Sequence, residues 1–362
     1  ANVVQNIKSG LRVMALYGGR PTMDEHREMR NVKPQIIFAT PGRLNDHLDK
    51  ENFESKTIQW LIIDEFDKCL EMGFQQEMQE VVDKLPMVRR RILLSATEAD
   101  SIPKFINIGS NICIDYRNNE DETSNRVQLH TVYSIKRDKL ETLSDLLKYL
   151  GDKSSIVFLN YRESVIRTAT YLQEEGFSVS IFHGGLEQKE REAMLYLFSN
   201  GSTNILVSTN LGARGLDIPD VDNIIHYHFP ENEDEYIHRV GRTARWDKCG
   251  NIYFLLGPDE QLPNYINQKV DIMKIPDVLP TIKPARMSTL YIGKGKKDKI
   301  SKGDIVGFLC KKAGVERMDI GKIDVMPRFS YVAVSRTKIS QILKMTKGEK
   351  IKGISTVVEE VK

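Results

Sequence analysis

Trp60-Leu61-Ile62-Ile63-Asp64-Glu65-Phe66-Asp67 is the stretch whose reading decides the fold. An apolar, largely β-branched run passes directly into carboxylates grouped around one Phe. A short run of this kind, without polar alternation, reads as a strand buried on both faces, as in a parallel sheet covered by helices. Open α/β sheets take their ligands at the C-terminal ends of such strands, and here that end is acidic. A strand-end Asp to hold Mg²⁺ on a nucleotide, then a Glu to orient or deprotonate an attacking water, is what phosphoanhydride hydrolysis needs. The ordinary alternative is a solvated strand end, or a helix N-terminus drawing negative charge.

Outward from this stretch the pattern repeats. Apolar runs at Gln35 to Ala39, Arg91 to Leu94, Ser155 to Leu159, Val179 to Phe182, Asn204 to Val207 and Asn223 to His226 alternate with helical patterns. The polar run Arg117 to Asn125 interrupts them and reads as a linker between two lobes. Prolines at 276, 280 and 284 mark a second break. The expected organisation is a first α/β lobe over 1–116, a linker over 117–125, a second lobe over 126–262, a connector over 263–285 and a small domain over 286–362. At 362 residues the chain is long enough for each part to bury a core.

Charge is unevenly divided. From Arg286 to Lys362 there are 18 Lys and Arg against 8 Asp and Glu, a net +10, while the rest carries 34 against 42, a net −8. A basic tail behind an acidic body points to a polyanionic partner. Cys69, Cys113, Cys249 and Cys310 are scattered without a Cys-x-x-Cys pair, which fits neither a disulfide framework nor a zinc site. With no apolar run near the ~20 residues of a membrane span, a reducing cytoplasm is the expected compartment. The chain opens at Ala1 with neither Met nor a targeting pattern, and reads as if cut through a domain.

Further motifs carry chemistry. Ser95-Ala96-Thr97 follows a second apolar run, where small hydroxyls suit coupling of the carboxylates to a facing lobe. Thr40-Pro41-Gly42-Arg43 offers a backbone and a guanidinium to a phosphodiester, and Gly18-Gly19 permits the same close approach; each also fits an ordinary turn. His238-Arg239-Val240-Gly241-Arg242-Thr243-Ala244-Arg245 concentrates cations as a polyphosphate site would. Its competitor is a basic helix face paired with the acidic run Glu231 to Glu235. In Thr209 to Asp217, Gly215 lets the backbone approach a phosphate and Asp217 suits a ribose hydroxyl. Gln188 and Arg191, after His183-Gly184-Gly185, face nucleic acid or simply solvent.

The succession TPGR, DEFD, SAT, VFLN, HGG, QKER, TNLGARGLD and HRVGRTAR resembles that of the DEAD-box RNA helicases, over roughly Gly18 to Gly257. The resemblance implies two RecA-like parallel-sheet lobes, the first incomplete, with ATP and Mg²⁺ between them. It also implies single-stranded RNA crossing both lobes, bent so that a short duplex breaks locally. By motif position Asp64 would take Mg²⁺, Glu65 would be the catalytic carboxylate, and Ser95 and Thr97 would link hydrolysis to unwinding. Asp217 and Gly215 would meet the nucleotide, His238 would lie in the catalytic motif, and Arg242 and Arg245 would be arginine fingers. Gly18, Gly19, Thr40, Gly42, Arg43, Gln188, Arg191 and Thr209 would lie on the RNA side. Phe66 stands where the family usually has Ala, so its bulk must be absorbed beside Ser95. No G-x-x-x-x-G-K-[ST] loop occurs. The expectation is a fragment whose parent has that loop upstream, inactive on ATP as it stands; the alternative is a non-catalytic RNA clamp on a degenerate core.

The tail reads β-α-β-β-α-β, with a turn at Pro327-Arg328-Phe329, which is an RRM-like sheet-and-helix domain. IGKGKKDKI, KGDIVGFL, IGKIDVMPRFSYVAV and KIKG resemble the C-terminal domain of DbpA-type DEAD-box helicases. That resemblance implies a hairpin of large-subunit ribosomal RNA, within a pre-ribosomal particle, as the partner of a monomeric enzyme. Lys322, Arg328, Tyr331 and Lys352 are the expected contacts, with Tyr331 but no full set of stacking aromatics. A lysine-rich solvated surface is the ordinary alternative.

Overall fold

The structure is a computed structural model that describes residues 4, 10–18, 22–71, 73–95, 102–109, 111–115, 126–210, 221–243 and 249–361. It divides into two compact units, Ala1–Tyr116 and Arg117–Lys362. The segment read as a linker lies outside the described residues.

In the first unit β1 (Val13–Leu16) pairs in parallel with β2 (Ile36–Ala39), joined through α1 (Thr22–Val32). Helix α2 (Pro41–Asp49) follows, with Pro41 in its first turn, where a missing N–H costs nothing. Strand β3 (Trp60–Ile63) pairs in parallel with β4 (Arg90–Leu93), with α3 (Phe66–Glu71) and α4 (Gln75–Asp83) between them in sequence. Leu48, Val81, Leu85 and Val88 form one core, against which Leu61 packs. The expectation that β3 is buried on both faces fails among the described residues. Trp60 and Ile62 are 51% and 57% exposed, because the packing that covers Leu61 lies on the opposite side of the pleat.

The second unit holds a seven-stranded parallel sheet in the order β11-β5-β10-β9-β6-β8-β7. Its strands are β5 (Val127–Tyr133), β6 (Ser155–Leu159), β7 (Val179–Phe182), β8 (Ile205–Thr209), β9 (Asn223–His226), β10 (Gly250–Leu256) and β11 (Asp271–Ile272). Helices α5 (Leu140–Leu150), α6 (Arg162–Glu174), α7 (Gln188–Ser199) and α8 (Glu233–Val240) connect them. Both faces are covered, as the apolar runs require. Val157 and Leu159 of β6 enter one core with Leu143, Leu147 and Leu172, while Ile156 and Phe158 enter the other with Phe198, Ile224 and Phe254. Residues 263–285 are more than a connector: Tyr265 and Ile266 pack on one of these cores, and Met273 and Ile282 on the other.

The C-terminal domain is a four-stranded antiparallel sheet, ordered β13-β14-β12-β17. It runs through β12 (Met287–Ile292), α9 (Lys302–Ala313), β13 (Ile320–Val325), β14 (Ser330–Ser335) and α10 (Ile339–Thr346). A small hairpin, β15 (Lys350–Ile351) with β16 (Ile354–Ser355), precedes β17 (Val358–Glu360). Leu290, Ile292, Ile320, Ile323, Val332 and Val334 face the helices, packing on Ile305, Leu309 and Ile342. Alternation along the strands turns Thr289, Tyr291, Tyr331 and Ala333 to the other face.

Candidate nucleotide and RNA sites

The acidic turn sits at the C-terminal end of β3. The Asp64 side chain is exposed, and its Oδ1 accepts the Glu65 N–H at 3.0 Å. Glu65 lies in the left-handed region at φ +49°, which a non-glycine residue adopts uncommonly. The cause is visible on either side. Leu94 N–H donates to Ile63 O at 2.9 Å, and Phe66 N–H donates to Leu94 O at 3.0 Å, stitching the turn to the end of β4. The Phe66 bulk is absorbed entirely, its side chain being 1% exposed. Burial, followed by the nearby Glu65, Asp67 and Asp64 carboxylates, pushes the Cys69 thiol up. Ser95 is exposed one residue after Leu94; Thr97 lies outside the described residues.

On the same unit Thr40 N–H donates to Leu16 O at 3.0 Å, which fixes the Thr-Pro-Gly-Arg turn to the end of β1. Gly18 and Gly42 are exposed; Gly19 lies outside the described residues. Arg43 is half-buried, donating from Nη1 to Thr22 Oγ1 at 2.7 Å with Nε 3.4 Å from Glu25 Oε2.

In the second unit the His-Arg-Val-Gly-Arg motif covers the end of α8. Its first arginine, Arg239, was not among the expected site residues and is the most enclosed cation there, 2% exposed. It donates to Asn210 Oδ1, to His228 O at 2.8 Å and to Asn160 Oδ1 at 2.8 Å, and its guanidinium lies over the Phe158 ring. It therefore ties together the ends of β6, β8 and β9. The sequence signal was present in the polar residues Asn160, Asn210 and His226, each closing or following an apolar strand. Arg242, 8% exposed, follows in the next turn, with its backbone bonded to Val221. His238 is half-buried in the last turn of α8. Arg245, Gly215 and Asp217 lie outside the described residues.

Arg191 is held against the His-Gly-Gly turn, donating to Leu186 O at 3.0 Å and Gly184 O at 2.6 Å. Gln188 instead donates along its own helix to Glu192 Oε1 at 3.0 Å. Burial first, then Arg162 and Arg191, lowers the His183 pKa, and its Nδ1 accepts from Gly185 N–H at 3.2 Å. Thr209 is buried at the end of β8.

The C-terminal domain has more aromatics than Tyr331 alone. Tyr291, directly opposite Tyr331 in the β12–β14 pairing, and Phe329 lie 6.1 and 5.1 Å from it by ring centroid. This helix-free face is nevertheless docked on the second lobe. Tyr331 packs on Tyr196 of α7 at 4.9 Å, and Thr289 Oγ1 meets Asn200 Nδ2 and Ser202 Oγ, both at 2.8 Å. Lys322 donates to Ser199 Oγ at 3.1 Å. Arg336 donates to Ser202 O at 3.1 Å as well as to Ala285 O and Met287 O. Arg328 remains exposed at the β13–β14 turn, and Lys352 is folded onto Lys299 O and Asp304.

Three family profiles match the chain: DEAD/DEAH box helicase over residues 1–105, helicase conserved C-terminal domain over 138–247 and DbpA RNA binding domain over 289–360. The ATP-dependent RNA helicase DbpA of Escherichia coli (strain K12) is 32% identical over 348 residues, which is 94% of this chain and 76% of that protein. Its Bacillus subtilis (strain 168) counterpart is 29% identical over 372 residues, 92% of this chain and 76% of that protein. Among solved structures, Mss116p bound to ssRNA and AMP-PNP aligns with a TM-score of 0.61 at 26% identity, covering 72% of this chain and 57% of the other. Saccharomyces cerevisiae Dbp5 bound to RNA and ADP BeF3 gives 0.60 at 24%, covering 73% and 77%, a likeness of fold. Its acidic and arginine motifs, paired parallel-sheet units and C-terminal RNA-binding domain place this chain in the DEAD-box ATP-dependent RNA helicases of the DbpA type.

Proposed function

We propose that the parent enzyme uses ATP and Mg²⁺ to separate short RNA duplexes locally, and that the C-terminal domain directs it to a hairpin of large-subunit ribosomal RNA during ribosome assembly. It acts as a monomer in the cytoplasm. The observation that carries this reading is the constrained turn at Asp64 and Glu65. Two oxygen donors in succession at a strand end, one exposed and one held at positive φ, fit a hard divalent cation and a nucleotide phosphate. Asp64 would hold the cation, which lowers charge on the phosphates when bound. Glu65 holds a water by its carboxylate and accepts its proton; the fixed backbone spares it a search for that orientation. Arg242 and Arg245 neutralise charge that develops on the phosphate, with Arg239 holding the motif in place. Ser95 and Thr97 link hydrolysis to RNA separation, Gly215 and Asp217 hold the nucleotide, and His238 belongs to the same motif as the arginines. RNA is met by Gly18, Gly19, Thr40, Gly42, Arg43, Gln188, Arg191 and Thr209, and in the tail by Arg328, Lys352, Lys322 and Tyr331, the last two sharing their face with the second lobe.

The test is Glu65→Gln in a chain preceded by a segment that bears a Gly-x-x-x-x-Gly-Lys-Thr loop. RNA-stimulated ATP turnover is expected to fall at least a thousandfold while RNA affinity changes less than threefold. Retained turnover removes Glu65 from the mechanism, and equal stimulation by a ribosomal hairpin and by generic duplex removes the targeting.

A further inference from the structure

A second cluster of ligating side chains lies in the first unit, away from the acidic turn. Glu25 and His26 are consecutive in α1, and Asp46 and His47 are consecutive in α2. One ligand atom each from His26, Asp46 and His47 falls within 4.8 Å of the others. Glu25 lies beside His47, its Oε2 3.3 Å from His47 Nε2. The site is enclosed: His47 is 0% exposed and Glu25 2%. Three of its polar atoms, Glu25 Oε1, His26 Nε2 and Asp46 Oδ2, are buried without a hydrogen-bond partner. His26 Nε2 and Asp46 Oδ2 stand 3.8 Å apart, too far for a hydrogen bond. Buried polar atoms are nearly always satisfied, so the facing orphans His26 Nε2 and Asp46 Oδ2, with Glu25 Oε1 buried nearby, call for a partner that supplies positive charge.

We propose that His26, His47, Asp46 and Glu25 bind one divalent transition-metal ion of the zinc class. Two imidazoles with two carboxylates form a nitrogen and oxygen set that suits Zn²⁺, whereas Mg²⁺ and Ca²⁺ take oxygens. Bonds of about 2.0–2.2 Å in a tetrahedron put neighbouring ligand atoms roughly 3.4 Å apart. The 3.8 Å between His26 Nε2 and Asp46 Oδ2 is already near that value. The surroundings suit the role. Lys50 holds Asp46 Oδ1 at 2.6 Å and leaves Oδ2 turned inward. Asn52 Nδ2 lies 3.3 Å from His47 Nδ1; a turn of that amide puts its carbonyl on the nitrogen, keeps the proton there and frees the Nε2 lone pair for the ion. Arg43 occupies only Oε2 of Glu25 and is itself held by Thr22, so Oε1 remains for the ion. The ion joins α1 to α2, the helix that starts directly after Thr40.

Co²⁺ is the probe. Chelator-treated protein is titrated with Co²⁺, and one equivalent is expected to bind with the visible ligand-field absorption of a low-coordinate nitrogen and oxygen site, displaced by Zn²⁺. His26→Ala, at a partly exposed position, and Asp46→Asn are each expected to weaken binding at least tenfold with an unchanged circular dichroism spectrum. If one variant unfolds, the other decides. Undiminished binding in the folded variants, absence of stoichiometric binding in the parent, or a thiolate-to-cobalt charge-transfer band that places the ion on cysteine would each overturn the site.

Discussion

Arg239 shows how one side chain sets the protonation of its neighbours. A guanidinium only donates, so His226 Nδ1, 3.2 Å from Arg239 Nη1, must accept and the ring proton belongs on Nε2. A second proton on Nδ1 would set donor against donor in the fully buried core. Burial first, then Arg239, accordingly pushes the His226 pKa well down. Burial first, then Lys139, pushes His228 down to about 4 from 6.5. The sign follows. Below pH 6.5 the unfolded chain takes up protons that the folded second unit refuses, so stability is complete above that pH and is lost as pH falls toward 4. The slope reaches up to about 1.4 kcal/mol per pH unit for each histidine. Urea midpoints of the second unit measured from pH 7 to 4 should fall across this window, with a shallower fall in His228→Gln. A flat profile in the parent would show that these rings are not the neutral groups described.

At the scale of elements, α7 serves two domains. Its N-terminal turn carries Gln188 and Arg191, and its C-terminal turn carries Tyr196 and Ser199, on which the sheet face of the C-terminal domain rests. Tyr331→Ala removes one ring of the central pair, at a cost of about 2 kcal/mol in area and aromatic contact. Amide exchange over residues 200–203 is then expected to speed up roughly thirty-fold, with β8 unchanged. Unaltered exchange would assign the docking to Thr289 and Arg336 alone. None of this contact was legible in the sequence, because Tyr196 and Tyr331 are far apart in the chain and no local period links them. Strands β6, β7 and β9 were legible to the residue, since their runs are apolar and β-branched. Strands β5 and β10 were not, because His130 and Thr131 in one, and Asn251 and Tyr253 in the other, break the run that marks a buried strand. Of the candidate site, consecutive Asp64 and Glu65 could be read directly, but the positive φ of Glu65 could not, since it is imposed by hydrogen bonds to β4. Glu25 and His47 meet only because β1 and β2 bring α1 and α2 together.

For the molecule as a whole, the decisive property is the division of charge between an acidic body and a C-terminal domain of net +10. Deleting that domain is a poor test of its role, since it would uncover Tyr196, Asn200 and Ser202 on the second lobe and mix lost RNA contact with a newly exposed face. Charge removal at residues outside these docking contacts separates the two. Lys296, Lys297 and Lys299 are exposed in the segment between β12 and α9, a segment anchored by Lys296 N–H and Lys297 N–H on Met326 O and Pro327 O at 2.8 Å. Their backbone is fixed, so replacing all three by Gln removes charge without loosening the loop. If their ammonium groups meet phosphates, each neutralised phosphate contributes about 0.7–0.9 to the slope of log affinity against log salt. The triple variant should therefore bind a ribosomal hairpin with a slope shallower by roughly 2 to 3, and lose affinity most at low salt. An unchanged slope would mean that the phosphates are met by other cations, and that the tail's charge acts only as a diffuse field steering RNA toward the enzyme.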